Sequence, residues 1–209
     1  MNFSFKIKKL FYSANKTNIL EDISINIEDS PLTIITGNNG VGKTTLMKIL
    51  YGLYTPTSGR VERFEKSDIR KAFVFQNPVF LNNTVYNNLF HALYCKSIEA
   101  KYRSEIIENM VSAHNLDYLL QKKIRALSGG EIQLVSLLRS LILDPQVLYY
   151  DEPSNNLDSE HIEMIMKIIT NLIASNTKIY MITHDARIKN NINHRNIHLY
   201  SNREIHYEN

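Results

Sequence analysis

Apolar residues along this chain change their spacing several times, and each change marks an element. Phe3-Ser4-Phe5-Lys6-Ile7 and Ile23-Ser24-Ile25-Asn26-Ile27 alternate apolar with polar positions. That is the period of half-buried strands, and the two segments predict an antiparallel β piece at the start. Leu32-Thr33-Ile34-Ile35-Thr36 is a run suited to a buried parallel strand, and Leu46, Met47, Ile49 and Leu50 follow at helical spacing. Thr55-Pro56-Thr57-Ser58-Gly59 reads as a turn cluster and Ala72-Phe73-Val74-Phe75 as a short buried strand. From Thr84 to Leu120 the pattern is helical, with Leu89, Leu93, Ile106, Ile107, Met110 and Val111 among polar residues, so an inserted helical lobe is expected over about 84–130. Strands return at Val147 to Tyr150 and Lys178 to Ile182, separated by a helix with Ile162, Ile165, Met166, Ile169 and Ile173 on one face. Asn196 to Leu199 and Glu204 to Tyr207, around Ser201-Asn202-Arg203, predict a terminal hairpin. Such alternation indicates an α/β fold whose mainly parallel sheet is covered by helices.

Between the run ending at Thr36 and the helix starting near Leu46 lies Gly37-Asn38-Asn39-Gly40-Val41-Gly42-Lys43-Thr44-Thr45. A strand feeding a glycine loop that opens a helix is the context of a phosphate-gripping loop. Gly37, Gly40 and Gly42 let the backbone curl so that successive N–H groups face one anion at the positive end of the helix. Lys43 then reaches the β- and γ-phosphates as a point charge, the Thr44 hydroxyl is placed to ligate Mg²⁺, and Thr45 packs or caps.

Two further segments carry chemistry. Val147-Leu148-Tyr149-Tyr150-Asp151-Glu152-Pro153 is an apolar strand ending in adjacent carboxylates, at the end of a strand where open α/β sheets place ligands. Asp151 suits Mg²⁺ through a water, and Glu152 suits polarisation of the water that attacks the γ-phosphate. Leu127-Ser128-Gly129-Gly130-Glu131-Ile132-Gln133 opens another helix; Ser128 can cap it, and Gly129 and Gly130 leave backbone N–H groups open to an anion.

Composition narrows the setting. A net charge of +3 from 24 basic and 21 acidic residues in 209 is too balanced to predict nucleic-acid binding. Lys6-Lys8-Lys9 and Lys122-Lys123-Arg125 are read as solvent-facing. One cysteine, Cys95, excludes an internal disulfide, fits a reducing cytosol, and is expected to be a small packing residue. The N-terminus lacks an apolar core of signal-peptide length, and no stretch approaches the ~18 apolar residues of a membrane span. In a membrane process, other chains would cross the bilayer.

Taken together the motifs resemble the ATP-binding cassette family, the nucleotide-hydrolysing subunits of ABC transporters, over nearly the whole chain. Gly37 to Thr45 matches the Walker A loop, Tyr149-Tyr150-Asp151-Glu152 the end of Walker B, and Leu127 to Gln133 the family signature. Gln76 in Phe75-Gln76-Asn77-Pro78 resembles the Q-loop glutamine, Ser154-Asn155-Asn156-Leu157-Asp158 the D-loop, and His184 in Thr183-His184-Asp185 the switch histidine. Tyr12 is similar in position to the aromatic that stacks on adenine, a role open also to Phe11. Glu131 stands where the signature normally has glutamine, Leu134 where arginine is common, and Ser30-Pro31 replaces the usual glycine turn.

The resemblance implies a P-loop ATPase fold with residues 1–209 as one cassette. It implies ATP and Mg²⁺, with Thr44, Gln76 and Asp151 around the metal, and hydrolysis carried by Glu152, His184, Gln76 and Lys43. It also implies a dimer in which Ser128, Gly129 and Gly130 close over nucleotide held by the Walker A loop of a second subunit. Membrane-spanning permease subunits would dock near Val79 to Asn88, placing the chain at the cytoplasmic face of the cell membrane. The stretch Val74 to Leu81, with Thr84-Val85 and Asn88-Leu89, resembles small-solute importer ATPases, most nearly those for oxyanions such as tungstate, which work with a substrate-binding protein. The alternatives are an exporter subunit, or a soluble ATPase of the family acting on nucleic acid, ribosomes or cluster assembly.

Overall fold

β1 (Ser4–Ala14) and β2 (Thr17–Ile27) bury one side of their alternating pattern, Phe5, Ile7, Leu10, Leu20, Ile23 and Ile27. They pair antiparallel with Phe5 opposite Ile27 and Tyr12 opposite Leu20. Asn15 and Lys16 join them, both with positive φ as a tight hairpin turn demands. These coordinates come from a computed structural model that describes residues 3–65, 68–154, 157–200 and 205–208.

Leu32–Gly37 forms β3, and Lys43–Tyr51 forms α1, which ends at Gly52 in the left-handed conformation. β4 (Ser58–Phe64) then pairs antiparallel with β1, giving a three-stranded sheet of order β2-β1-β4. Here the structure departs from expectation, because Ser58 and Gly59 begin a strand instead of closing a turn. Gly59 is needed where the two strands touch, since a Cβ there would lie 2.0 Å from the Lys9 carbonyl oxygen.

A second sheet contains β5 (Lys71–Val74), β6 (Val147–Asp151), β7 (Lys178–Ile182), β8 (Arg195–Leu199) and β9 (Ile205–Glu208) together with β3. Its order is β5-β6-β7-β3-β8-β9, parallel except for the antiparallel β8–β9 pair at one edge. The expected terminal hairpin is therefore present, while the turn residues proposed for it lie outside the described residues. Between β5 and β6 the chain forms α2 (Val85–Cys95), α3 (Ala100–Ala113), two short 3-10 turns and α4 (Gly129–Leu141). α5 (Ser159–Ala174) separates β6 from β7, and α6 (Ala186–Asn191) separates β7 from β8.

Because both faces of the parallel sheet are covered, successive strand residues enter different cores. Leu148 and Tyr150 of β6 pack with α2, α3, α4 and α5, whereas Val147 and Tyr149 pack with α1 and the three-stranded sheet. Asp151 continues the second series, and so falls on the α1 side. Cys95, expected to pack, is exposed at the end of α2, two residues beyond the buried Leu93 and turned to the opposite side of the helix. None of the described helices is long and apolar enough to cross a membrane.

Candidate functional site

The carboxyl ends of three strands, β3, β6 and β7, converge on one cleft of about 710 Å³. In register, Ile35 of β3 and Asp151 of β6 both lie beside Ile182 of β7. Chain continuing past that row carries the phosphate loop, Glu152 and His184, beside Asp151 at the end of β6. Asn39, Gly40, Gly42, Lys43, Thr44 and Thr45 line the cleft from one side. Gln76, Asp151, Glu152 and His184 line it from the other, with Ser154 and Asp185.

The loop is shaped by its glycines. Gly37, Gly40 and Gly42 have φ of 138°, 79° and 105°, the region where a Cβ is penalised. Gly37 also admits the Leu199 carbonyl, which a Cβ would meet at 2.2 Å. Gly42 precedes the first turn of α1 without any side-chain cap, so the positive end of that helix opens into the cleft. Val41 packs against the core, while Asn38 uses its carbonyl internally. The Lys43 ammonium donates to the carbonyl oxygens of Gly37 at 2.7 Å and Asn38 at 3.0 Å, which folds the side chain back over the loop. Burial lowers the pKa of Lys43, and the nearby Glu152 and Asp151 carboxylates oppose that shift.

Asp151 is buried, and its position on the α1 side of β6 lets the Thr44 hydroxyl donate to it. Its Oδ1 is buried with no protein partner. Burial raises the Asp151 pKa, with Thr44, Lys48 and Lys43 opposing. A hydroxyl and an unsatisfied carboxylate oxygen at the mouth of a phosphate loop form a hard, oxygen-only donor set that fits Mg²⁺. No cluster of three or more His, Cys, Asp or Glu among the described residues could hold a metal alone. Such a site is completed by substrate phosphate oxygens.

Glu152 breaks the strand. Its φ is 51° and its N–H donates to the Ile182 carbonyl at 2.9 Å, a conformation costly for a residue with a Cβ. This bend brings its carboxylate into the cleft beside Asp151. Burial raises the Glu152 pKa, and its Oε1 lies 3.7 Å from His184 Nε2. His184 is shifted below its ordinary value by burial and then by Lys43, which favours the neutral imidazole.

Other sequence-identified residues lie outside the cleft lining. Tyr12 stacks on Tyr54 with centroids 5.3 Å apart and planes 1° apart, while Ile19, one residue before its strand partner Leu20, does line the cleft. Phe11 is half-buried opposite Ser58. Ser128 caps α4 and shares a capping box with Glu131, whose second oxygen receives Lys122 at 2.7 Å. Glu131 is thus a working part of the helix start, and Leu134, in place of the usual arginine, is fully buried in the core. Gly129 is exposed, whereas Gly130 is buried with its Cβ side against the His161 ring. Of the D-loop-like segment, Ser154 reaches the cleft and Asp158 caps α5, whereas Asn155 and Asn156 lie outside the described residues.

Sequence reading missed Ile19, the Gln133 amide that donates to the Gln76 carbonyl at 3.0 Å, and His161. The Gln133 bond could have been suspected, since that residue sits in the same motif as Ser128. The other two depend on tertiary approach. On the far side of Phe75 lies a second cleft of about 560 Å³, lined by Leu53, Phe75, Val79, Phe80, Leu81 and His91 among others.

A cleft that joins a glycine loop shaped for phosphates to an acidic pair and a histidine defines a nucleotide-hydrolysing P-loop domain. A family model described as ABC transporter matches residues 20–155. The chain belongs to that family, as an ATP-binding cassette with ATPase chemistry. It is 34% identical to the energy-coupling factor transporter ATP-binding protein EcfA1 of Mycoplasma mobile over 85% of this chain and 69% of that protein. It is 31% identical to the sn-glycerol-3-phosphate import ATP-binding protein UgpC of Psychromonas ingrahamii over 82% of this chain, which spans 48% of that protein. A solved structure described as the dimeric MJ0796, a bacterial ABC transporter cassette, superposes with a TM-score of 0.83 at 25% identity, covering 98% of this chain and 97% of that one.

Proposed function

We propose that this chain is the ATP-hydrolysing motor of an importer for a small solute. Two copies would work together on membrane-spanning permease subunits at the cytoplasmic face of the membrane. The observation that carries the reading is the meeting of Lys43, Thr44, Asp151, Glu152 and His184 in one cleft, with Asp151 Oδ1 left without a protein partner. ATP enters with its phosphates over Gly40 to Thr45, and Lys43 exchanges its carbonyl partners for β- and γ-phosphate oxygens. Thr44 and Asp151 would hold Mg²⁺, with Gln76 lining the same cleft, and a bound ion would supply neutralisation of charge on the phosphate oxygens. Glu152 orients the attacking water. His184 contacts the γ-phosphate from the same cleft. Ser128, Gly129 and Gly130 complete the cage on nucleotide held by the second copy, and Tyr12 stacks on adenine.

Residues 1–209 act as one cassette, and the segment 84–130 is the helical lobe that Gln76 links to the phosphate. The import assignment is supported by the relative named for glycerol-3-phosphate import. The oxyanion reading, tungstate among the solutes, rests on the Val74 to Leu81 segment, and a substrate-binding protein belongs with it. The deciding experiment measures ATPase of the purified chain alone and after co-expression with the membrane proteins encoded beside it. Turnover that rises in the membrane complex and disappears in Glu152→Gln supports the motor. Turnover indifferent to membrane proteins, or stimulated by ribosomes or DNA, overturns it in favour of a soluble ATPase.

A further inference from the structure

Gly129 and Gly130 are glycines for different reasons. A Cβ on Gly129 would meet nothing within 4 Å. A Cβ on Gly130 would lie 2.5 Å from His161 Cγ, 2.6 Å from Cδ2 and 2.8 Å from Nδ1. The imidazole of α5 therefore fills the volume that any side chain at position 130 would need, and it rests on the backbone that opens α4. His161 is itself held from behind. Asp158, the N-cap of α5, accepts the His161 backbone N–H at 2.9 Å, and the same carboxylate oxygen lies 2.7 Å from His161 Nδ1. The ring is largely enclosed, with its side chain 18% exposed, whereas Asp158 is 64% exposed. A chain of contacts thus runs Asp158, His161, Gly130, from the end of the D-loop-like segment to the signature backbone.

We propose that His161 is a positioning residue that fixes the Gly130 backbone for the nucleotide held by a second copy of this chain. The inference rests on the reading that Ser128 and Gly130 complete that second copy's site. Hydrogen bonds from backbone N–H groups to phosphate are sensitive to displacement of well under 1 Å. The imidazole suits the task because its faces pack on a glycine while Nδ1 ties it to a carboxylate. An aliphatic side chain of similar volume would pack without that tie.

The test uses the Glu152→Gln chain with ATP and Mg²⁺, reading dimerisation by analytical ultracentrifugation, and adds His161→Ala or His161→Leu. Both variants should raise the dimer dissociation constant by about tenfold or more, the scale on which a small misplacement acts. Affinity of the dilute single chain for a fluorescent ATP analogue should stay unchanged, because the chain's own phosphate loop is untouched. If His161→Ala does not fold, His161→Leu carries the test, its fold checked by thermal melting. Unchanged dimerisation in a folded variant overturns the role of His161, as does a parallel loss of single-chain nucleotide affinity. Failure of the Glu152→Gln chain itself to dimerise overturns the two-copy reading instead, and the role of His161 with it.

Discussion

Lys43 holds its ammonium on two loop carbonyls with an acidic pair nearby, so its charge is already partnered before nucleotide arrives. Removing it leaves those carbonyls beside an open cleft, where water can replace the lost donor. Lys43→Ala should therefore fold normally and lose ATP affinity by about 100-fold, as expected for roughly two charge-assisted bonds; titration calorimetry reads this, and retained affinity would refute the phosphate-loop assignment. Gly37 predicts the opposite balance. Its φ of 138° and the 2.2 Å approach of the Leu199 carbonyl to a would-be Cβ leave no room for relaxation, because that oxygen is backbone of β8. Gly37→Ala should cost about 2 kcal/mol or more, lowering the melting temperature by roughly 2–4 °C for each kcal/mol. The glycines, Lys43, the carboxylates and His184 were legible because their chemistry is written into contiguous strings. Cys95 was misread because a helix places neighbours 100° apart, and nothing local showed it turning away from Leu93. His161 was invisible because its meaning is a contact across 31 positions of chain, Gly130 to His161.

At the scale of elements, α4 begins with a capping box strengthened by an ion pair. Glu131 accepts the Ser128 N–H and receives Lys122, and this pairing holds its pKa below the ordinary carboxylate value. A depressed carboxyl contributes stability that is present above the unfolded-state pKa and is lost as pH falls through the folded one. Glu131→Gln keeps a side-chain acceptor for the box but loses the charge, with Lys122 41% exposed. The cost at pH 7 should be small, about 0.5–1 kcal/mol, and should vanish once pH drops below the carboxylate range. Urea unfolding of both chains at pH 7 and pH 3 measures it; a difference that persists at pH 3 would show that the charge is not the cause. Elements with strong periodicity were readable, such as α5 and the buried run of β3. β4 was not. Its sequence Ser-Gly-Arg-Val-Glu-Arg-Phe offers no alternating apolar side, and it is a strand because β1 supplies an unpaired edge. The strand order β5-β6-β7-β3-β8-β9 was likewise out of reach of local pattern, although it is what brings Asp151 and His184 to the loop.

For the whole molecule, the question is how the nucleotide cleft would communicate with the membrane partner proposed above. Phe75 and Gln76 are consecutive, yet Gln76 lines the nucleotide cleft and Phe75 lines the second cleft. One peptide therefore belongs to both. The second cleft exposes Val79 at 85%, Leu53 at 47%, Leu81 at 46% and Phe75 at 38%, an apolar strip with Lys96, His91 and Arg139 around it. Arg139 braces the strip from beneath, donating to the Val79 carbonyl at 2.6 Å and lying over the Phe80 ring. Exposed apolar side chains gathered on one groove mark an interaction surface, and on the proposed function the occupant is a cytoplasmic helix of the permease. Val79→Asp places a charge in that contact while touching nothing in the nucleotide cleft. Basal ATPase of the chain alone should stay unchanged, and the stimulation gained with the permease should fall about tenfold or more, as for a buried anchor replaced by an unpaired charge. Stimulation that survives Val79→Asp and Leu81→Asp together would place the permease on some other face, and the shared Phe75–Gln76 peptide would then carry no signal from it.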